Sequence, residues 1–229
     1  MYLSIVIPIY NTGDILCKTI EELHRYLEDN GHDFEILICD DSTLDNVRPV
    51  IQELARRYWR VRPFFNKGNR GLGYTLKVLF RNAKGEVIIY LDCDLPFGKE
   101  IIRVLLNEIH YGDIVLASRY RGEKSAIHRP RWLMSRLYYL LCKMLFRLPV
   151  RDIGSGSVAL KREVIDAVSL ISNGFAVHAE IFLRASRAGF SIKEIPYPAR
   201  HASPGSFQIL RHGPAVLSET LILWQSIKE

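Results

Sequence analysis

The stretch Glu86–Pro96, EVIIYLDCDLP, constrains the fold of this chain more than any other. Val87, Ile88, Ile89, Tyr90 and Leu91 form an almost unbroken apolar run between Gly85 and Pro96. A run with no polar face reads as a strand covered on both sides, as in the middle of a parallel sheet. Two carboxylates follow at once, Asp92 and Asp94. On extended backbone, residues two apart point the same way, so both are expected to aim at one spot beyond the strand's carboxyl end. In open α/β sheets ligands bind at that end. Two like charges so close require a cation between them or one raised pKa. Oxygen donors suit Mg2+ or Mn2+, ions that commonly join a protein to phosphates. The simpler alternative makes the two acids N-caps of a helix near Lys99–Tyr111.

The rest of the first half repeats the pattern. Leu3–Tyr10 is an apolar strand that stops at Asn11-Thr12-Gly13, and a helix follows with Ile15, Leu16, Ile20, Leu23 and Leu27 at helical spacing. Phe34–Cys39 is a strand ending in Asp40 and Asp41, Val47–Trp59 a helix, and Val61–Phe65 a short strand. A basic, glycine-rich loop, Asn66–Gly73, leads into a helix over Leu72–Ala83. Its backbone N–H groups offer a phosphate cradle, though flexibility accounts for the glycines equally well. Alternating strands and helices predict an α/β fold: a mostly parallel central sheet with helices on both faces.

The second half is less regular. Strands are expected at Asp113–Ser118, Ser157–Leu160 and Ser191–Tyr197, and helices from Arg162, at His178–Ala188 and at Ala215–Ile227. Trp132–Leu148 reads as a helix rich in Trp, Tyr, Leu and Met, with Arg131, Arg136, Lys143 and Arg147 about four residues apart. It suits a membrane interface, apolar face down and cations toward lipid heads; a core helix with a basic edge fits the pattern as well.

With 229 residues, 48% of them hydrophobic and 24% charged, the chain has the makings of a large folded core. The whole of 1–229 is expected to be a single domain, with 1–120 and 121–229 as its two halves. A net charge of +6 favours anionic partners, but the cations follow no nucleic-acid-binding motif, and no nucleic-acid partner is expected. Cys17, Cys39, Cys93 and Cys142 show no metal spacing; Cys17 and Cys39 are expected to be buried, and a reducing compartment is implied. The chain enters a strand at Leu3 without a signal peptide, and no apolar run reaches the ~20 residues of a spanning helix.

Acids at Asp40/Asp41 and Asp92/Asp94 and the polar pair Tyr10/Asn11, placed side by side on such a sheet, would form one polar crest. A nucleotide suits it, with an acid on ribose hydroxyls or a base N–H. The dehydrogenase fingerprint is missing from the first turn, PIYNTGD; Gly71-Leu72-Gly73 has Leu76 where a third glycine belongs, and no Walker loop is present.

IVIPIYN, ILICDDST, NRGLGYTL and IIYLDCDLP, in this order and spacing, resemble the family 2 glycosyltransferases with the Rossmann-like GT-A fold. Asp92-Cys93-Asp94 corresponds to that fold's Asp-x-Asp signature. ASRYRG, DIGSGSVALKREVI and FAVHAEIFLRASRAGFSIKEIP are similar to the polyprenol-phosphate sugar synthases of the dolichyl-phosphate mannose synthase type. The resemblance implies an inverting, metal-dependent transfer from a nucleotide-diphosphate sugar, GDP-mannose or a UDP-sugar, to a polyprenyl phosphate. It makes 1–120 the nucleotide-sugar half and 121–229 the acceptor half. It carries nucleoside contacts to Pro8, Tyr10, Asn11 and Asp40, and metal and diphosphate contacts to Asp92 and Asp94. It carries acceptor-phosphate contacts to Arg119 and Arg131, and contacts around the donor sugar and phosphates to Asp152, Glu180 and Arg200. Asp94, Asp152 and Glu180 are the expected catalytic acids, Mg2+ or Mn2+ the cofactor, and the cytoplasmic face of a membrane the place of work.

Three positions depart from the family pattern. Thr12 stands where an acid usually follows the Tyr-Asn pair; Pro96 offers no side-chain ligand; and the segment Arg200–Ser206 lacks the usual lysine. A hydroxyl acceptor in place of a phosphate would need a general base, from Asp152 or Glu180. A noncatalytic nucleotide-sugar-binding or membrane-adaptor module is the alternative of another class.

Overall fold

Odd and even residues of the first strand, β1 (Tyr2–Ile9), part company: Leu3, Ile5, Ile7 and Ile9 enter one apolar cluster and Val6 the other. Such division is the signature of a strand buried on both faces. The computed structural model describes residues 1–42, 46–120, 129–148, 150–199 and 209–227, with backbone alone at 13–14, 129–131 and 209–212. Within them the order is β1, α1 (Gly13–Asp29), β2 (Asp33–Asp40), α2 (Val47–Arg57), β3 (Val61–Phe65), α3 (Leu72–Asn82) and β4 (Val87–Leu91). Then come α4 (Ile101–Glu108) with a 3-10 turn to Tyr111, β5 (Ile114–Ser118), α5 (Arg129–Phe146), β6 (Ser157–Lys161), α6 (Arg162–Ala167), α7 (Val177–Arg187), β7 (Ile192–Pro196) and α8 (Ile209–Ser226).

One seven-stranded sheet runs β3-β2-β1-β4-β6-β5-β7. All its pairings are parallel except those of β6, which runs against β4 and β5. Helices α1, α2 and α4 cover one face, where Leu16, Ile20, Leu23, Ile51 and Leu105 are fully buried. On the other, α3, α5 and α7 lay down Leu76, Leu79, Cys142, Phe182 and Leu183. Burying a side chain of this size contributes about 1.5–3 kcal/mol, so this double layer dominates the stability.

Boundaries differ from expectation where a local signal misleads. Cys17 is exposed, and so is Ile15, because both lie off the stripe formed by Leu16, Ile20, Leu23 and Leu27. Helix α8 begins six residues before Ala215 and runs through Pro214; proline there removes a single i→i−4 bond near the amino end. Helix α5 buries one side and exposes the other. Cys142 and Phe146 are buried, while Leu133, Leu137, Leu140 and Met144 stay exposed in one stripe beside Lys143. Against it packs α8, with Tyr138 and Thr220 hydroxyls 3.1 Å apart and Leu217, Leu221 and Ile222 also exposed. No helix among the described residues is long and apolar enough to cross a membrane.

Candidate active site

The sheet's carboxyl edge collects the polar residues. The ladder between β1 and β2 continues to Ile9 and Asp40, whereas that between β1 and β4 stops at Val6 and Tyr90. Past Val6, β1 is therefore unpaired on the β4 side, which is where Pro8, lacking an N–H, is tolerated. β1 is flanked by strands that leave it in opposite directions along the sheet, the topological switch point at which α/β folds bind ligands. Tyr10 and Asn11 emerge on one side of that point and Asp92 and Asp94 on the other. Asn11 adopts a φ of 53° and its N–H donates to Ser42 Oγ at 2.8 Å. Asp40 accepts from the Ser42 N–H at 2.9 Å, closing a short turn that directs its carboxylate.

Asp92 keeps its place in the sheet, its N–H donating to the Gly156 carbonyl at 2.9 Å. The chain then turns: the Leu95 N–H donates to the Asp92 carbonyl at 3.0 Å and Leu95 adopts a φ of 43°. The backbone is not extended through Asp94, so a tight turn rather than strand alternation sets that side chain. Helix α4 starts at Ile101, too far along the chain for either acid to cap it. Cys93 turns into the core, where burial first, then the acids on either side, push its thiol up to about 12. Tyr90 donates its hydroxyl to Asp92 Oδ1. Burial, and next the charge of Asp92, hold the phenol well above its ordinary value, so it remains a donor.

From the other half of the sheet, β6 runs backward and brings its preceding loop, 152–156, to the same edge. Asp152 is fully buried and grips Arg119 from both oxygens: Oδ2 accepts the backbone N–H and Nε–H at 2.9 Å, and Oδ1 accepts Nη2–H at 2.7 Å. Arg119 Nη2 also donates to the Gly154 carbonyl at 2.8 Å. Burial opposes the guanidinium charge, but the Asp152 carboxylate more than restores it, and the pKa is raised. Asp152 in turn donates its N–H to Glu194 Oε1 at 2.8 Å.

Glu180 sits elsewhere. It is fully buried on α7, accepting the N–H groups of Ile171 and Ser172 at 2.9 and 2.8 Å and Arg184 Nε–H at 2.7 Å. Both Asp152 and Glu180 are thus committed to protein partners. Arg131 lies in the α5 backbone with its side chain outside the description, and Arg200 lies outside the described residues.

Two residues gain roles that the sequence reading did not assign. Asp41 accepts Asn66 Nδ2–H, the Arg70 N–H and the Gly71 N–H, each at 2.8 Å. Those N–H groups of the glycine-rich loop therefore serve a carboxylate of the protein and not a phosphate. Gly156 borders Asp92, and a Cβ there would lie 2.2 Å from Oδ2. The cue for it was faint, a second glycine in DIGSG.

The chain matches the family model described as Glycosyl transferase family 2 over residues 4–169, a span that includes Asp40, Asp92, Asp94, Arg119 and Asp152. The chain belongs to that family. The family 2 chain is 29% identical over 227 residues to a dolichol-phosphate mannosyltransferase of Pyrococcus furiosus, covering 93% of itself and 62% of that relative. It is 26% identical over 230 residues to the glycosyltransferase AglD of Haloferax volcanii, covering 96% of itself and 36% of that relative. It therefore spans between about a third and three fifths of the length of these curated relatives. Its fold is GT-A. The crystal structure of a glucosyl-3-phosphoglycerate synthase from Mycobacterium tuberculosis, in complex with Mn2+, UDP and glucosyl-3-phosphoglycerate, superposes with a TM-score of 0.75 at 16% identity, over 96% of this chain and 78% of that one.

The residues present fit a divalent ion. Asp92 and Asp94 supply hard oxygen donors, and the Gly156 backbone borders Asp92 Oδ2, where a Cβ would crowd it. No group of three metal-ligating side chains occurs among the described residues. Two carboxylates would leave an ion's remaining positions to phosphate oxygens and water, as is common for Mg2+.

Proposed function

We propose that this family 2 chain transfers one sugar from a nucleotide-diphosphate sugar to a polyprenyl phosphate at a membrane surface. The observation that carries the choice of acceptor is the commitment of Asp152 and Glu180, both fully buried and saturated by protein donors. A hydroxyl acceptor needs a base to remove its proton, and neither acid is placed to act as one. A phosphate acceptor is already anionic near neutral pH and needs none. Its oxygen attacks the anomeric carbon while the bond from that carbon to the nucleotide diphosphate breaks, with inversion, and the electron pair leaves with the diphosphate.

The residues divide the work. Tyr10, Asn11 and Asp40 flank the switch point on the nucleoside side, with Pro8 leading into it. Asp92 and Asp94 hold the divalent ion, which when bound offsets the charge gathering on the leaving diphosphate. The Arg119–Asp152 pair fixes the 152–156 loop against Asp92, and Arg131 and Arg200 remain the candidates for phosphate contacts. The name of the Pyrococcus relative supports a dolichol-phosphate acceptor, and the ligands of the Mycobacterium structure support a nucleotide donor with Mn2+. Residues 1–229 act as one domain in this reading, with the donor half in 1–120.

The test supplies short-chain polyprenyl phosphate, Mn2+ and a panel of labelled UDP- and GDP-sugars. A lipid-linked product is expected, lost at least 100-fold in Asp94→Ala with an unchanged circular dichroism spectrum, on the order of removing one transition-state charge stabiliser. Label appearing only on free sugars would replace the acceptor. No turnover with any donor would leave a noncatalytic binding module.

A further inference from the structure

We propose that Tyr90 is a positioning residue that sets the orientation of the Asp92 carboxylate. This rests on the reading above that Asp92 holds a divalent ion. Tyr90 and Asp92 are two residues apart at the end of β4, and strand alternation puts both side chains on one face. The phenol hydroxyl donates to Oδ1. On the other side, Gly156 closes against Oδ2 so tightly that even a Cβ would lie 2.2 Å away. The backbone of Asp92 is tied to the same glycine by its N–H. The carboxylate is therefore held between a hydroxyl and a stretch of bare backbone.

Tyr90 is itself held. It is 3% exposed, and its ring lies against the His178 imidazole at 5.4 Å between centroids. The two rings line one side of a small cavity otherwise closed by Leu76, Phe80, Val158, Leu160, Ile181 and Phe182. Groups that orient a metal ligand from behind typically change metal affinity about 10–100-fold when removed. A tyrosine serving packing alone would fill this space equally well as phenylalanine.

The experiment titrates Mn2+ into the intact protein, without donor, and follows the free-ion EPR signal. Tyr90→Phe, melting cooperatively, is expected to bind Mn2+ about 10–100-fold more weakly than wild type. Equal affinity in the two proteins overturns the positioning role and leaves the metal site standing. A wild type that takes up no Mn2+ removes both. A second measurement covers a Tyr90→Phe protein that fails to fold. Mn2+ added to wild type should produce a tyrosine difference band in the near ultraviolet, absent from Asp92→Asn. A featureless difference spectrum from a wild type that binds Mn2+ overturns the role as well.

Discussion

His178 carries a cost that no mechanism here requires. It is 8% exposed, and its Nε2 has no hydrogen-bond partner among the described residues. Burial chiefly, countered by the Asp152 charge and reinforced by that of Arg119, lowers its pKa from 6.5 to about 4. The unfolded chain then binds a proton that the folded chain refuses between those values. Stability therefore rises with pH across this window and is lost as pH falls through it. His178→Phe should flatten the acid limb of a denaturant-midpoint profile between pH 6.5 and 4, a difference on the order of 3 kcal/mol. A limb as steep as wild type would mean another group sets it. The same scale shows what the sequence could disclose. Asp92 and Asp94 were legible as neighbouring acids at the end of an apolar strand, but the turn that sets Asp94 was not. Asp152 and Glu180 were legible as special residues but not as saturated ones, since their partners, Arg119 at one site and the 171–172 backbone at the other, are brought in by tertiary packing. Asp41 was overshadowed by Asp40, because adjacent residues leave a strand in opposite directions and the pattern does not say which one faces the loop.

At the level of elements, strands were read more reliably than the turns joining them. Periodicity registers a buried strand residue by residue, while a turn depends on a few φ angles such as that of Leu95. The glycine-rich loop illustrates this. Its glycines were open to a phosphate-cradle reading, yet Gly73 is there for a close approach: a Cβ would lie 2.4 Å from the Ser172 carbonyl oxygen, which belongs to backbone and cannot swing away. Gly73→Ala should lower stability by about 1–3 kcal/mol, the usual range for overpacking. Gly154→Ala, in a loop position where nothing lies within 4 Å, should raise it by about 0.4–1 kcal/mol. Thermal melts of the two variants moving the same way would contradict this account of the packing.

Across the whole molecule, the α/β class and the helices on both faces followed from alternation, but the direction of β6 did not. Nothing local distinguishes a parallel strand from one reversed by a long connection. Nor did periodicity decide which face of α5 the core would take. The other face remains open: Leu137, Leu140 and Met144 on α5 and Leu221 and Ile222 on α8 are exposed, with Arg136 and Lys143 beside the α5 stripe. Sedimentation with anionic vesicles should show binding that weakens about fivefold for each of Arg136, Lys143 and Arg147 neutralised, near 1 kcal/mol apiece. Equal recovery in the supernatant for wild type and triple variant would discount a lipid-facing α5. The reversal of β6 has an outcome of its own. A strand laid head to tail against its neighbours delivers the residues before it, not after it, to the reacting edge. New lengths of chain could be spliced ahead of Asp152 while β1, β2, β3 and β4 keep their pairing.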